Sequence, residues 1–333
     1  MYLLVLGGGG FLGHAVVTGA LAAGHTVTVF SREGKAPVDG VEALQGDRTG
    51  DLSALHGRDF DGCLDTFSDP SAVAETAKLL DGHVGAYGYI SGMSVYAPDG
   101  PAVPDEAAPV RVEGRYDDVL QERSVAKLAC EAALAEHFSG PTLVTRVGIM
   151  VGPRDPSDRF TWWPVRLARA LAGQADRRVL APGDPDRPVQ YTDVRDLASW
   201  MVGMLAARRG GLFNGVGPGR PDRVGDVLEA CLRAVGGAPG DVEFVWADES
   251  VMRAELTREL PDEEQRPLWF PEDQIPQDAI DSSAALAAGL SFRSPEETAR
   301  SAFEAVGDRE LAAGFPPDLE RALLDRLGGG QVG

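Results

Sequence analysis

The chain has 333 residues, of which 44% are hydrophobic and 25% are charged, so its length fits about two globular domains. These ordinary values exclude disorder, collagen and coiled coil as descriptions of the whole chain. The formal net charge of −20 at pH 7 argues against a nucleic acid or a membrane surface as the main partner.

Short apolar runs alternate with helical patterns through the first half of the chain. The runs predict strands at 3–6, 26–30, 41–44, 62–65, 86–90 and 142–147, and the helical patterns predict helices at 11–23 and 117–138. Strands that alternate with helices favour right-handed crossovers and a parallel sheet. The predicted fold class is therefore α/β, a doubly wound Rossmann sheet with a smaller C-terminal lobe.

The pattern loosens after Gly152. It predicts a helix at 160–171, a strand and helix at 189–207, a strand at 212–216, and helices at 224–234 and 295–305. Ser294 and Glu297 form a capping box at the start of the last helix. We expect a Rossmann domain at 1–151 to which 187–215 returns, a substrate lobe from 152–186 and 216–327, and a flexible tail at 328–333.

The cysteines and histidines give no sign of a metal site. The three cysteines lack a C-x-x-C pair, and Cys130 lies in an apolar helical run, which favours a buried free thiol. The five histidines show no ligand spacing, so we expect no metal. The first residues do not resemble a signal peptide and no long apolar stretch occurs, which predicts a cytoplasmic protein.

A glycine-rich turn follows the first predicted strand. Gly7, Gly10 and Gly13 have the spacing G-x-x-G-x-x-G, and Phe11 and Leu12 open the first helix. Glycines there permit a tight turn, and the helix N-terminus can meet a pyrophosphate. These five residues are therefore predicted to bind a dinucleotide, the alternative being a turn that binds nothing. We expect valine at Gly10 or Gly13 to block the phosphate while the fold survives.

The end of the second predicted strand bears on the choice of cofactor. An acidic residue there would bind the ribose 2′-hydroxyl of NAD, but the chain has Ser31 followed by Arg32. A hydroxyl and a guanidinium suit a 2′-phosphate, which favours NADP over NAD. The alternative is that Arg32 is a solvated loop cation.

Several further motifs accompany the glycine turn. They are 46–48 (Gly-Asp-Arg), 91–97, 146–148, 151–153, 190–198, 213–214 and 288–293. Together they resemble the extended short-chain dehydrogenase/reductase family, often called NAD-dependent epimerase/dehydratase, over roughly residues 1–300. Gly-Asp-Arg and the segment Asp158–Trp163 are similar to an atypical branch with bacterial reductase-like and RNA-associated chloroplast members.

The resemblance implies a Rossmann domain that binds NAD(P), with Asp47 and Arg48 at the cofactor, and a C-terminal lobe that binds the substrate, often a nucleotide sugar. It also implies a Tyr-x-x-x-Lys pair on a helix and a Ser or Thr after the fifth strand. Lys127 matches the lysine and is expected at the nicotinamide ribose, but Arg123 stands at the tyrosine position and Gly92 at the Ser/Thr position. The alternative for Lys127 is a surface pair with Glu131, one turn on.

The proton donor must then come from another residue. Ser94 and Tyr96 follow the fifth predicted strand, and Tyr116 lies upstream of the Lys127 helix, so these three are predicted to be catalytic together with Lys127. Asp65 and Glu106 are further candidates. Each has a structural alternative: packing for Tyr96, a helix cap for Asp65 and a solvated carboxylate for Glu106.

In the second lobe, Arg159, Trp162, Trp163 and Arg166 lie at one helical start and could clamp an anionic or planar substrate. The alternative is that the aromatic pair belongs to the core.

The sequence favours an NADP-dependent oxidoreductase or epimerase that acts on a carbonyl or hydroxyl carbon of a small polar or sugar-like metabolite. A redox-neutral isomerase or dehydratase is one alternative. Another is a cofactor-binding sensor or scaffold without turnover, favoured by the missing tyrosine. The charge of −20 disfavours RNA binding. A homodimer is left open.

Overall fold

The computed structural model describes residues 1–260, 265–269 and 279–328. Its strands are β1 (Tyr2–Leu6), β2 (Thr26–Ser31), β3 (Glu42–Gln45), β4 (Gly62–Asp65), β5 (Tyr87–Gly92), β6 (Thr142–Val147), β7 (Met150–Val151), β8 (Arg178–Pro182), β9 (Pro188–Val189), β10 (Thr192–Asp193), β11 (Gly211–Gly215), β12 (Asp222–Arg223) and β13 (Glu243–Ala247). Its helices are α1 (Phe11–Ala22), α2 (Pro70–Leu80), α3 (Gln121–His137), α4 (Trp162–Leu171), α5 (Val194–Ala206), α6 (Val224–Ala234), α7 (Glu249–Glu259), α8 (Ser283–Ala287), α9 (Pro295–Glu304) and α10 (Pro317–Gly328).

The chain divides into two units. Unit 1 comprises 1–149, 194–219 and 280–292, and unit 2 comprises 150–193, 220–279 and 293–333. This division differs from the predicted limits because β10 pairs with β7 and so joins unit 2. Residues 280–292 join unit 1, where a Cβ on Gly217 would lie 1.9 Å from the ring of Phe292. The predicted tail lies outside the described residues except for Gly328, which ends α10.

Unit 1 is built on seven parallel strands in the order β11-β6-β5-β4-β1-β2-β3. The predicted α/β class and parallel sheet are confirmed. Residues 3–6 of β1 are at most 1% exposed, as expected for a strand that is covered on both faces. The chain crosses from β3 back to β4 on the other side of β1, so the strand order reverses between β1 and β4. Ligands of such sheets bind at the carboxyl ends of the strands beside this reversal.

Three elements differ from the sequence prediction. Helix α2 was not predicted, although Asp69 caps it through the Ala72 N–H and Pro70 opens it. Helix α3 begins at Gln121 rather than at 117, because Asp118 accepts the Leu120 N–H and holds the preceding residues in a turn. The parallel pair β8 and β13 was also missed.

The glycine turn is shaped by close main-chain contacts. Gly7 has a φ of +98°, and a Cβ on Gly13 would lie 2.3 Å from the Gly7 carbonyl oxygen. A Cβ on Gly8 would lie 2.7 Å from Val29 Cγ2, whereas one on Gly10 would meet nothing closer than 4.0 Å. Gly13 is therefore required by the packing of α1 on β1, and the expectation that valine at Gly13 spares the fold is wrong. At Gly10 the structure leaves room for a side chain.

Unit 2 packs α4, α6 and α9 against one another, and α10 packs against β8 and β13. Among the described residues, no helix combines the length and apolar character that a membrane crossing requires. Within the same ranges, no three potential metal ligands of the His, Cys, Asp and Glu types lie together. The cysteines 63, 130 and 231 are all buried and free, as expected for Cys130.

The two glycines allow a direct test of the packing constraint. Gly13→Ala should lower the free energy of unfolding by about 1–3 kcal/mol, because the methyl group would overlap the Gly7 carbonyl. Gly10→Ala should stay within about 0.5 kcal/mol of the wild type, because its Cβ meets open space. Urea unfolding followed by circular dichroism measures both, and equal midpoints for the two variants would contradict the role assigned to Gly13.

Candidate functional site

The candidate site lies at the carboxyl ends of β1, β4 and β5. A Cβ on Gly7 would lie 3.0 Å from Thr66 Oγ1, which places the glycine turn directly beside the residues that follow β4. Gly10 precedes α1 and gives it no side-chain cap. Of the predicted helix residues, Leu12 has a buried side chain, so only its backbone can reach a ligand. The turn and the open helix N-terminus can together receive a phosphate.

The end of β2 carries the predicted 2′-phosphate contacts. Ser31 is half-buried and its carbonyl oxygen accepts the N–H groups of Gly34 at 3.2 Å and Gly46 at 3.1 Å. Arg32 is exposed. Hydrogen bonds from Thr49 lower the pKa of Asp47, and the charge of Arg32 adds to this effect. The turn after β3 therefore brings a carboxylate close to the predicted phosphate-binding cation.

Arg48 is held by a buried carboxylate. Its guanidinium donates to the two oxygens of Asp65 at 2.8 and 2.7 Å, and to Thr76 Oγ1 at 3.0 Å. Tyr87 donates to Asp65 at 2.7 Å, and the Phe67 N–H donates at 2.9 Å. Asp65 thus serves as an anchor for Arg48 rather than as an accessible proton donor. A groove of about 520 Å³ opens beside Arg48 and the first turn of α2.

Lys127 lies inside this edge of the sheet. Its side chain is 7% exposed, and Nζ donates to the carbonyl oxygens of Ile90 at 2.7 Å and Phe67 at 3.4 Å. The ammonium group lies 5.0 Å from the centre of the Tyr89 ring. Burial lowers the pKa of Lys127 to about 8. An amine is thereby fixed where β4 and β5 end.

The surface alternative for Lys127 is wrong. Glu131 instead accepts two hydrogen bonds from Arg146, at 3.1 and 2.8 Å. Arg123, which stands four residues before Lys127, is exposed.

Ser94 and Ser124 form a hydroxyl pair beside Lys127. Ser124 is fully buried on α3, and its Oγ lies 2.8 Å from the Ser94 carbonyl oxygen and 3.0 Å from Ser94 Oγ. Sequence reasoning named Ser94 but missed Ser124. The available signal was the three-residue spacing between Ser124 and Lys127, which puts both on one helix face.

Tyr96 is packed and hydrogen-bonded. Its hydroxyl donates to Asn214 Oδ1 at 2.5 Å, and its ring lies 5.0 Å below the Arg146 guanidinium. Asn214 is fixed in turn by Glu106, which accepts its backbone N–H at 2.7 Å, and by the Asp281 carbonyl at 2.8 Å. Burial raises the pKa of Tyr96. These contacts favour the packing role for Tyr96 and a structural role for Glu106.

Tyr116 lies toward the surface. Its hydroxyl donates to Asp99 at 2.5 Å, which raises the pKa of Tyr116, and its ring lies 5.3 Å from the guanidinium groups of both Arg111 and Arg115. Arg111 also donates to the Ser94 carbonyl at 2.9 Å. Of the three predicted proton donors, Ser94 is the one whose hydroxyl the structure brings next to the Lys127 helix.

Three of the four residues in the predicted substrate clamp, Trp162, Trp163 and Arg166, are buried in unit 2. Arg166 forms a buried ion pair with Glu320 at 2.9 Å. Trp162 and Trp163 are 5% and 2% exposed and pack edge to face. Arg159 donates to the backbone carbonyl of Trp269 at 3.2 Å and to that of residue 266 at 3.3 Å. The clamp prediction is therefore not supported for Arg166 and Trp162, because burial and pairing keep them from a ligand, and the core alternative describes the tryptophan pair.

No family model and no curated protein matches the sequence. Solved structures match along most of the chain. The UDP-glucose 4-epimerase of Bifidobacterium longum, in complex with NAD⁺ and UDP, is 18% identical with a TM-score of 0.60, over 92% of this chain and 98% of that one. A human epimerase family protein with NADPH is 21% identical with a TM-score of 0.57, over 93% of this chain and 100% of that one.

A third match is the Bordetella bronchiseptica enzyme WbmH in complex with NAD⁺. It is 16% identical with a TM-score of 0.59, over 92% of this chain and 98% of that one. At these identities the likeness concerns the fold. The chain has the Rossmann-type fold that these three structures share, and it spans nearly their full length.

Proposed function

We propose that the chain is a NADP-dependent enzyme of the extended short-chain dehydrogenase/reductase type, which acts on a carbonyl or hydroxyl carbon of a small polar or sugar-like metabolite. The observation that carries this proposal is the buried amine of Lys127 at the ends of β4 and β5, beside the glycine turn. A charged amine is costly to bury, and such groups cluster at functional sites. The shared fold with structures that contain NAD⁺ or NADPH supports the same conclusion.

The residues at this edge fit a dinucleotide. Gly10 offers open space at the start of α1, and Gly7 has the positive φ that a tight turn requires. The helix N-terminus can bind the pyrophosphate through its backbone N–H groups. Lys127 and the end of β5 would lie at the nicotinamide ribose. The cofactor, when bound, supplies hydride chemistry that no side chain offers.

The chain's own residues divide the remaining work. Lys127 holds a proton at Nζ near neutral pH and can hydrogen-bond ribose hydroxyl groups. Ser94 can donate a hydrogen bond to a substrate oxygen at the end of β5. A guanidinium group acts in proteins as a hydrogen-bond donor and not as a source of protons, so Arg123 cannot replace the missing tyrosine.

The choice of NADP rests on the end of β2. No carboxylate stands at Ser31, and the exposed Arg32 can pair with a 2′-phosphate. Asp47 acts against this preference, since its carboxylate lies within electrostatic reach of Arg32. We therefore propose a preference for NADP that Asp47 moderates.

Cofactor binding without turnover is the second candidate. The observation in its favour is that two predicted proton donors already donate to other residues. The Tyr96 hydroxyl donates to Asn214, and the Tyr116 hydroxyl donates to Asp99. A protein of this kind would bind NADPH but transfer no hydride to any carbonyl compound, which separates the two candidates.

The Arg32→Ala variant tests the cofactor. Loss of a charge-assisted contact should weaken NADPH binding by about 1.5–3 kcal/mol, roughly 10-fold or more, and should spare NADH. Titration calorimetry with both dinucleotides measures this. Arg169→Ala, a change on α4 of unit 2, is the matched control. Equal losses for NADPH and NADH would contradict the role of Arg32.

The titration of Lys127 can be observed directly, because the chain has only three lysines. Carbon-13 NMR of lysine Cε, with Lys127→Met for assignment, should give Lys127 a pKa of about 8. Because the folded state then binds fewer protons than the unfolded state above pH 8, the wild type should gain stability relative to Lys127→Met as the pH rises toward 10. A Lys127 titration at the ordinary value of about 10.4 would show that the amine is solvated.

A further inference from the structure

We infer that Ser124 is a positioning residue of the candidate site, which fixes Ser94 so that the Ser94 hydroxyl can hydrogen-bond the oxygen of a substrate carbonyl. The inference rests on the proposed function, because it requires a carbonyl substrate at the end of β5. It adds Ser124, a residue that the motifs did not indicate, as the support of the Ser94 hydroxyl.

Helix α3 sets both groups in place from one face. Ser124 and Lys127 are three residues apart and therefore neighbours on the helix surface. Lys127 donates to the Ile90 carbonyl in β5, and Ser124 donates to Ser94 in the turn that follows β5. Helix α3 thus contacts the end of β5 at two points, and these contacts hold the amine and the hydroxyl pair in fixed positions relative to the same strand end.

The hydrogen bonds around Ser94 leave its hydroxyl proton available to a ligand. The Ser94 carbonyl oxygen can accept two hydrogen bonds, and Ser124 Oγ at 2.8 Å and Arg111 Nε at 2.9 Å supply them. Ser124 has one proton, which it donates to that carbonyl oxygen. In the 3.0 Å contact between the two hydroxyl groups, Ser94 can then be the donor, and a ligand oxygen can replace Ser124 as the acceptor. Ser94 is half-buried, which leaves its hydroxyl reachable, whereas Ser124 is fully buried.

The neighbouring backbone leaves room for a ligand atom. A Cβ on Gly92 would meet Ser94 Oγ at 3.7 Å and the Val147 carbonyl oxygen at 3.8 Å, with nothing closer. A substrate oxygen in this space would lie within reach of Ser94. The same space admits a serine at position 92, which provides a second way to place a hydroxyl there.

The task of Ser94 is to polarise the substrate carbonyl through a hydrogen bond. The serine itself is neither oxidised nor reduced. A preorganised donor of this kind strengthens as negative charge develops on the oxygen, so its removal is expected to cost about 10²–10³-fold in rate. Ser124 acts through Ser94, so its removal should cost less and should affect the rate of hydride transfer rather than cofactor affinity.

The test is single-turnover oxidation of protein-bound NADPH by the probe 9,10-phenanthrenequinone, followed at 340 nm. Ser94→Ala should slow the reaction by about 10²-fold and Ser124→Ala by about 10-fold, with unchanged NADPH dissociation constants in calorimetry. Ser124→Thr keeps the hydroxyl and should recover most of the rate. Ser301→Ala removes a comparable helix serine, whose Oγ donates to the Glu297 carbonyl at 2.9 Å, and should change nothing.

The double variant Gly92→Ser/Ser94→Ala covers the case in which threonine does not fit at the buried position 124. Partial recovery of the rate over Ser94→Ala supports the hydroxyl role. Native rates in Ser94→Ala and Ser124→Ala overturn the inference and leave the proposed function standing, because hydride transfer is then intact in the wild type and in both variants. A wild type that binds no NADPH, or that binds it and transfers no hydride to the quinone, instead contradicts the proposed function and with it the inference.

Discussion

The carboxyl edge of the parallel sheet depends on one close backbone contact, which only glycine at position 13 permits. Helix α1 approaches the end of β1 so closely that a Cβ on Gly13 would overlap the Gly7 carbonyl oxygen at 2.3 Å. This approach aims the N-terminus of α1 at the point where the strand order reverses. Ser31 ends β2, which pairs with β1, and Lys127 donates to the Ile90 carbonyl of β5, which pairs with β4 and through it with β1.

The partners of the buried polar groups of unit 1 separate these groups into anchors and candidates for chemistry. Asp65 accepts four hydrogen bonds, and Tyr96 donates its hydroxyl proton to Asn214, so both already have partners within the fold. Lys127 is different, because its charge is buried with backbone carbonyl oxygens and an aromatic ring as its contacts and with no carboxylate in a salt bridge among the described residues. The lowered pKa reflects the cost of that arrangement. Groups with pKa values shifted in this way cluster at functional sites.

The sequence predicts the sheet well, because buried parallel strands leave uninterrupted apolar runs such as 3–6. It also predicts the glycine turn, since the positive φ of Gly7 and the close contact at Gly13 are both set by neighbouring residues in the chain. It fails where a role depends on partners distant in the chain. Arg166 and Glu320 are 154 residues apart, and Tyr96 and Asn214 are 118 apart, so no local pattern distinguishes a clamp or a proton donor from a buried pair.

Native mass spectrometry with added NADPH tests dinucleotide binding at this edge most directly. The purified chain should form a 1:1 complex with NADPH, and Gly10→Val should lose it while its circular dichroism spectrum stays unchanged, because valine would occupy the open space at the start of α1. A wild type that forms no complex, or a folded Gly10→Val variant that binds NADPH as tightly as the wild type, would contradict the dinucleotide site.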